Sequence, residues 1–233
     1  MKIKQTLQSI SVLSSLLITA QVNAAELDIK LLNLTHSISF TPVLVAAHEQ
    51  QISLFHLGET ATTALQKMAE GGDTSDLKTA VSAASGVNLE LTSVPTLAGV
   101  TSTGMIDTGA NMYLSLTAML LPTNDGFVGL DSWKIPTEAG TYTIMLNAYD
   151  AGTEVNDEII NGGGTPGVPG IPADPSGNAG TGATGASNNE ANDSVHIHPG
   201  NVGDTDAIGG ISDVNSTIHR WLNPVAQLVV TVK

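Results

Sequence analysis

Residues 225–232 read VAQLVVTV and form the cleanest β-branched run in the chain. Val and Thr side chains pack well on a pleated surface, so this run predicts a closing β-strand. The opening of the domain has the same character, because Leu27, Ile29 and Leu31 alternate within ELDIKLLNLT, residues 26–35. A period of two predicts a strand with one buried face. The folded part of the chain is therefore expected to begin and end with strands.

The segments between these two strands favour the same class of fold. Further strands are predicted at residues 111–121, 140–149 and 194–198. Residues 60–70 carry Ala64, Leu65 and Met68 at helical spacing and stop at two glycines, which predicts a helix. A second short helix is predicted at 76–84 with Ser75 as its cap, and residues 41–57 fit either two strands or a strand and a short helix. Together these segments predict a mostly β, antiparallel β-sandwich with one or two short helices.

The composition excludes several classes of protein. The 233 residues include 22 Asp and Glu against 8 Lys and Arg, a formal charge of −14, which argues against binding nucleic acid through basic patches. The chain has no cysteine, so it has no disulfide framework, thiolate metal site or cysteine nucleophile. Only 3% of residues are aromatic, whereas 24 are glycine, as expected of a turn-rich β domain.

The first 24 residues have the pattern of a secretory signal peptide. Lys2 and Lys4 precede an apolar stretch from Ile10 to Ala20, and Val22-Asn23-Ala24 is a small-residue cleavage pattern. Cleavage removes two lysines and no acid, which takes the charge from −14 to −16. No later stretch approaches the length of a membrane span. We expect an exported protein, periplasmic or extracellular, with one domain at residues 25–233.

Residues 161–193 interrupt this domain with a Gly- and Pro-rich segment. The stretch NGGGTPGVPGIPADPSGNAGTGATGASNNEAND has no hydrophobic period. Its glycines are not a phosphate-binding loop, because no strand precedes them and no helix with Lys-Ser/Thr follows. The segment is predicted to be a mobile loop, either a disordered insertion or an interaction loop.

Two acid-rich segments follow predicted strands. LPTNDGFVGLDSW, residues 121–133, contains Asp125 and Asp131, and LNAYDAGTEVNDE, residues 146–158, begins its acids with Asp150. If the flanking strands are antiparallel neighbours, Asp125 and Asp150 converge at one edge of the sheet. Calcium prefers six to eight oxygen ligands from such groups. The acids alone favour a solvated loop over a metal site, because charged loops are usually solvated.

These segments resemble the spondin N-terminal domain family. The resemblance rests on Leu34-Thr35 with Phe40-Thr41-Pro42, on DGFVGLDS from Asp125, on YDAGTE from Tyr149, and on Trp221-Leu-Asn-Pro-Val-Ala226. It implies a β-sandwich similar to calcium-dependent membrane-targeting domains, with a calcium ion at one loop end. The family's metal-binding acids correspond to Asp125 and Asp150, and Asp131 and Glu154 are neighbours in the same motifs with less certain roles.

The resemblance also implies a noncatalytic module for extracellular-matrix or cell-surface interaction, with a protein or matrix component as partner. The animal members contain cysteines and a following thrombospondin-type repeat, which this chain lacks, so their receptors are not transferred to it. A purely structural secreted domain without an ion is a further possibility.

The histidines offer an alternative metal site. His196 and His198 alternate on a predicted strand and therefore share a face, as two zinc or copper ligands would. His219 lies near the closing strand and could join them. This pattern predicts, as the alternative, a periplasmic copper- or zinc-binding protein or metalloenzyme. Solvated histidines or histidines paired with carboxylates are the ordinary explanation.

Overall fold

The computed structural model describes residues 24–186 and 193–233, and the predicted signal peptide lies almost entirely outside them. The strands in the described part are β1 (Glu26–Asn33), β2 (Ser39–Phe40), β3 (Leu44–His48), β4 (Val87–Glu90), β5 (Thr101–Asp107), β6 (Tyr113–Leu121), β7 (Gly126–Lys134), β8 (Gly140–Asp150), β9 (His196–Ile197) and β10 (Ala226–Val232). The helices are α1 (Thr63–Gly71) and α2 (Ser75–Ala83).

The strands form one strongly curved antiparallel sheet in the order β4-β3-β6-β7-β8-β10-β1-β5, with β2 added to β6 and β9 to β8. The sheet curls into a nearly closed, sandwich-like arrangement. Its two edges approach each other where Gly104 of β5 lies against the side chain of Leu89 in β4. The predicted mostly β, antiparallel class is confirmed.

The first and last strands lie side by side in the sheet, with β1 next to the edge strand β5. Leu31 of β1 is opposite Leu228 of β10, and β10 pairs on its other side with β8. Leu27, Ile29 and Leu31 are completely buried, which confirms the inward face predicted from their alternation. The first and last strands of the described part are therefore paired within the core, and β10 connects β1 to the strand that carries Asp150.

The two helices cover the outer face of β6 and its neighbours. Thr62 caps α1 by accepting a hydrogen bond from the backbone N–H of Leu65, and Gly72 ends the helix in the left-handed conformation. This helix is confirmed. The predicted cap of α2 is wrong, because Ser75 is already its first residue and Thr74 precedes it without a capping side-chain bond. Neither nine-residue helix in the described part has the length and apolarity needed to cross a membrane.

Strand β7 was not predicted, because Gly126 and Gly129 have the sequence character of a turn. Gly129 is instead required by packing: a Cβ there would lie 2.6 Å from a ring carbon of Phe55. Residues 126–134 form a strand in the structure rather than the expected loop. Strands β4 and β5 were not predicted either, and residues 41–57 contain the single strand β3 followed by turns.

The described part of the Gly- and Pro-rich segment, residues 161–186, folds back over the loop end of the sheet; we call it the strap. It has no helix or strand, but Ile171 is fully buried in a small cluster with Ile160 and Val214. Backbone N–H groups of Gly167 and Gly170 donate to the carboxylates of Glu70 and Glu154. The mobility of this segment stays a prediction, and the strap has specific anchoring contacts.

Candidate metal centre

Pairing of β7 with β8 brings Asp125 and Asp150 to one end of the sheet. Gly126 is opposite Asp150 in the antiparallel register, and the backbone N–H of Ala151 donates to the carbonyl oxygen of Asp125 at 3.3 Å. Both aspartates are completely buried. The two acids therefore lie at the same edge, but the predicted strands at 111–121 and 140–149 are not neighbours, because the unpredicted β7 lies between β6 and β8.

The two oxygens of Asp125 have different surroundings. Its Oδ2 accepts hydrogen bonds from the backbone N–H and hydroxyl of Thr153, at 2.8 and 3.1 Å, and from the N–H of Glu154 at 3.1 Å. Its Oδ1 is buried and has no hydrogen-bond partner. Burial, followed by the nearby charge of Asp150, raises the pKa of Asp125 to about 7. One carboxylate oxygen is therefore held in place by the loop while the other lacks a donor.

Asp150 is fixed by the turn that follows β8. Its Oδ1 accepts from the backbone N–H of Gly152 at 2.8 Å, and its Oδ2 accepts from the side-chain amide of Asn156 at 2.7 Å. Gly152 has a φ of +68°, and a Cβ there would lie 2.8 Å from backbone atoms of Ser194. The turn therefore requires glycine both for its conformation and for its close approach to the chain beside it.

Two histidines face the same carboxylate. Asp150 pairs with His196 in the β8–β9 register, and the Nε2 atoms of His196 and His198 each lie 3.9 Å from Oδ2 of Asp150. The prediction that these two imidazoles share a face is confirmed. Sequence reasoning assigned them to a separate site, because the pairing of β9 with β8 spans the strap and is not a local signal.

Hydrogen bonds at Nδ1 distinguish the two rings. Nδ1 of His196 lies 2.8 Å from the carbonyl oxygen of Ser194 and must donate to it, so a neutral His196 keeps a lone pair on Nε2. Nδ1 of His198 instead accepts from the N–H of Gly200 at 3.0 Å, which puts the proton on Nε2. Burial, which outweighs the opposing effect of Asp150, lowers the pKa of His198 to about 4. His198 is therefore a neutral N–H donor that points towards Asp150, and only His196 presents a nitrogen lone pair.

His219 does not join this pair in the described contacts. Its Nε2 lies 3.8 Å from Oδ1 of Asp174, and its Nδ1 accepts from the N–H of Asn215 at 3.2 Å. The alternative centre of His196, His198 and His219 is therefore divided between two carboxylates, Asp150 and Asp174.

Asp131 also lies away from the pair. It is the sixth residue of β7, where its carboxylate accepts from the hydroxyl of Ser53 at 2.8 Å and contacts Nδ1 of His56 at 3.0 Å. Six residues of extended strand from Asp125 correspond to roughly 20 Å. The structure does not bring Asp131 to Asp125 and Asp150, because the segment between them is a strand instead of the expected loop.

Glu154 is a member of the site that the sequence indicated only as a neighbour. Its Oε2 accepts from the N–H of Gly170 in the strap at 3.1 Å and from the side-chain amide of Asn124 at 3.4 Å, while its buried Oε1 has no partner. Burial is the largest cause that raises the pKa of Glu154 to about 8, and Glu70 and Asp125 add to it. Glu154 therefore connects the carboxylate pair to the strap.

The arrangement supplies hard oxygen ligands rather than a finished coordination shell. In residues 24–186 and 193–233, no three or more His, Asp or Glu side chains are arranged so that they could hold a metal ion by themselves. A cation at Asp125 and Asp150 would take further ligands from backbone oxygens and water, as calcium commonly does. The unpartnered Oδ1 of Asp125 fits such an ion, since burial of an uncompensated carboxylate is costly.

Comparison with known protein families places this site within a recognised domain. The family model for Spondin_N matches residues 33–158, which include Asp125, Asp150 and Glu154. A search of curated proteins finds no match. The matched region ends before the strap and before the two histidines that approach Asp150.

Proposed function

Because the chain belongs to the Spondin_N family, whose model matches residues 33–158, we propose that it is an exported, noncatalytic module that binds calcium at Asp125 and Asp150. The ion stiffens this loop end, and the loop end contacts an extracellular-matrix or cell-surface partner. The matrix role is supported by the family resemblance alone.

One observation carries the calcium proposal: two neighbouring carboxylates are both completely buried, and Oδ1 of Asp125 has no donor. Like charges that share a buried site repel each other, and a cation between them removes that repulsion. The hydrogen bonds to Oδ2 of Asp125 and to both oxygens of Asp150 fix these carboxylates before an ion arrives. Preorganised oxygen ligands favour a hard cation such as calcium.

Thermal unfolding of the purified protein tests the proposal. Calcium should raise the melting temperature by mass action, because it binds the folded state and not the unfolded chain. Asp125→Asn keeps an oxygen to accept from Thr153 and Glu154 but removes the charge. We expect this variant to fold and to lose the calcium response.

Asp131→Asn is the matched control, because it removes an acid from the same sequence motif but from a different place in the fold. It should keep the full calcium response. Equal melting curves for the wild-type protein in calcium and in chelator would overturn the proposal, and so would loss of the response in Asp131→Asn alone.

A second candidate ion is favoured by the hydrogen bond from His196 Nδ1 to Ser194. It leaves the Nε2 lone pair of His196 3.9 Å from Asp150, which suits zinc or copper better than calcium. Zinc titration of His196→Ala separates the two candidates. If the site binds calcium, His196→Ala should keep its calcium response. If the site binds a transition metal, His196→Ala should lose the zinc affinity that the wild type has.

A further inference from the structure

A polar pocket lies between the strap and residues 204–219, outside the region matched to the family. Its volume is about 240 Å³, slightly below the range of pockets for drug-sized ligands. The floor is buried and includes Asp174, Asp213 and His219, whereas Asp206 at the rim is exposed. A concave site with a few convergent polar groups is typical of a ligand-binding pocket.

The floor presents an unused hydrogen-bond donor. His219 is 1% exposed, and its Nε2 has no hydrogen-bond partner. Since Nδ1 accepts from the backbone N–H of Asn215, the proton of the neutral ring is on Nε2, which faces Asp174 at 3.8 Å. That separation is too long for a hydrogen bond. A hydroxyl group to the side of the two atoms, about 2.8 Å from each, can accept from His219 and donate to Asp174.

The carboxylates of the pocket act as acceptors that do not require a cation. Asp213 accepts from Thr181, Ile160 and Ala183 of the chain around it, and Asp204 accepts from Asp206, Ile211 and Ser212. These donors already stabilise the two negative charges. A metal ion would also face the N–H of His219 rather than a lone pair. The described side chains around the pocket form no metal-binding group of three.

We propose that this pocket binds a hydroxyl-rich ligand, a hexopyranose unit that is either free or terminal on a longer glycan. Sugar hydroxyls both donate and accept, so they match a floor that combines carboxylates with an N–H donor. The partly exposed side chain of Ile218, which also lines the pocket, can pack against the carbon-bound hydrogens of the ring. The pocket is independent of calcium at Asp125 and Asp150.

Amide chemical-shift mapping tests this assignment. The ¹⁵N-labelled protein is titrated with methyl glycosides of glucose, galactose and mannose, with N-acetylglucosamine, and with the disaccharide of each sugar. We expect at least one sugar to shift amides of residues 174–181 and 204–219. A disaccharide that binds more tightly than its monosaccharide indicates that the ligand is the end of a glycan. Equal affinities of the two indicate that the ligand is a free sugar.

Two variants connect the binding to the pocket. Asp206→Asn removes an exposed rim charge and should weaken binding about tenfold, and His219→Phe should abolish it. Asp107→Asn is the matched control, because Asp107 is also exposed and accepts from the N–H two residues later, as Asp206 does. It should bind as the wild type does.

Three results would overturn the inference. The first is that no sugar in the set shifts the pocket amides. The second is a sugar affinity that Asp206→Asn and His219→Phe leave unchanged. The third is displacement of the bound sugar by calcium or zinc that shifts the same amides, which would identify a cation site.

Discussion

At the scale of single residues, Asp125 serves two purposes that substitution can separate. Its Oδ2 holds the N–H groups of Thr153 and Glu154, and its Oδ1 adds a buried, uncompensated charge beside Asp150. The first contribution stabilises the loop, whereas the second destabilises the ion-free protein. When the proposed cation is bound, the charge on Oδ1 of Asp125 stabilises the folded protein instead of destabilising it.

Asp125→Asn and Asp125→Ala should therefore have opposite effects in chelator. The amide keeps an acceptor and removes the repulsion, so we expect an unchanged or higher free energy of unfolding. Alanine leaves the N–H groups of Thr153 and Glu154 without an acceptor, which costs about 1–3 kcal/mol. Denaturant unfolding measures both values, and two variants of equal stability would contradict this account.

The residues of the site were predictable where the signal is local. Asp125 and Asp150 were expected at one edge, but they meet there through the pairing of β8 with β7, a strand that the sequence pattern did not indicate. Asp131 was misplaced because glycines that serve packing have the same sequence appearance as glycines that serve a turn. The tautomers of His196 and His198 depend on backbone groups of Ser194 and Gly200, which no residue pattern specifies.

At the scale of elements, the strap is attached by carboxylates that accept backbone hydrogen bonds and by backbone–backbone hydrogen bonds such as that from Gly185 to Ile211. Asp213 accepts from Thr181 through one oxygen and from Ile160 through the other. Burial alone would raise the pKa of Asp213, but these hydrogen bonds together outweigh it, and the net shift is downward. A strap built from glycine and proline has few side chains of its own to bury, so such anchors determine its position.

Asp213→Asn should loosen the strap without unfolding the sheet. An amide group directs one N–H towards a backbone donor, so we expect a loss of about 1–3 kcal/mol in local stability. Amide hydrogen exchange should rise at Ile160 and Thr181 and stay unchanged in β1 and β10. Faster exchange throughout the sheet would contradict the local role, and Asp107→Asn is the control for loss of an aspartate charge.

The anchoring by Asp213 also has a defined pH dependence. Because its pKa is lower in the folded protein than the ordinary value of 3.8, its contribution is fully present above about pH 4 and is lost as the pH falls through the folded pKa. Exchange protection at Thr181 should therefore decrease in acid in the wild type. In Asp213→Asn the exchange protection at Thr181 should be low at every pH. If acid lowers this protection equally in the wild type and in Asp213→Asn, the group that titrates is not Asp213.

At the scale of the whole molecule, the sheet depends on pairing between the first and last strands of the described part. Alternation predicted β1 as a strand with one buried face, the β-branched run predicted β10 as a strand, and both form strands with one face more buried than the other. Their adjacency and the order of the sheet are not readable from either pattern, because the pairing joins residues about two hundred positions apart. The position of β6 in the sheet is likewise not readable from its sequence pattern. Strand β6 is buried along nearly its whole length, because the core covers one of its faces and helix α1 covers the other.

Leu228→Ala tests how the core strand and the candidate metal centre depend on each other. Leu228 is fully buried between Leu31 of β1 and Ile144 of β8, so its truncation should lower the free energy of unfolding by about 2–5 kcal/mol. Val229→Ala on the less buried face is the control and should cost about 1 kcal/mol or less. Thermal unfolding in calcium and in chelator measures both effects.

The calcium increment in melting temperature should survive in Leu228→Ala. The carboxylates are positioned by the β7–β8 pair and by residues 150–156, which the truncation does not touch. Unfolding should also remain a single transition, because β10 pairs with both β1 and β8 and no part of the sheet is stable without it. Two separate transitions, only one of which responds to calcium, would show that the loop end folds independently of the strands that close the sheet.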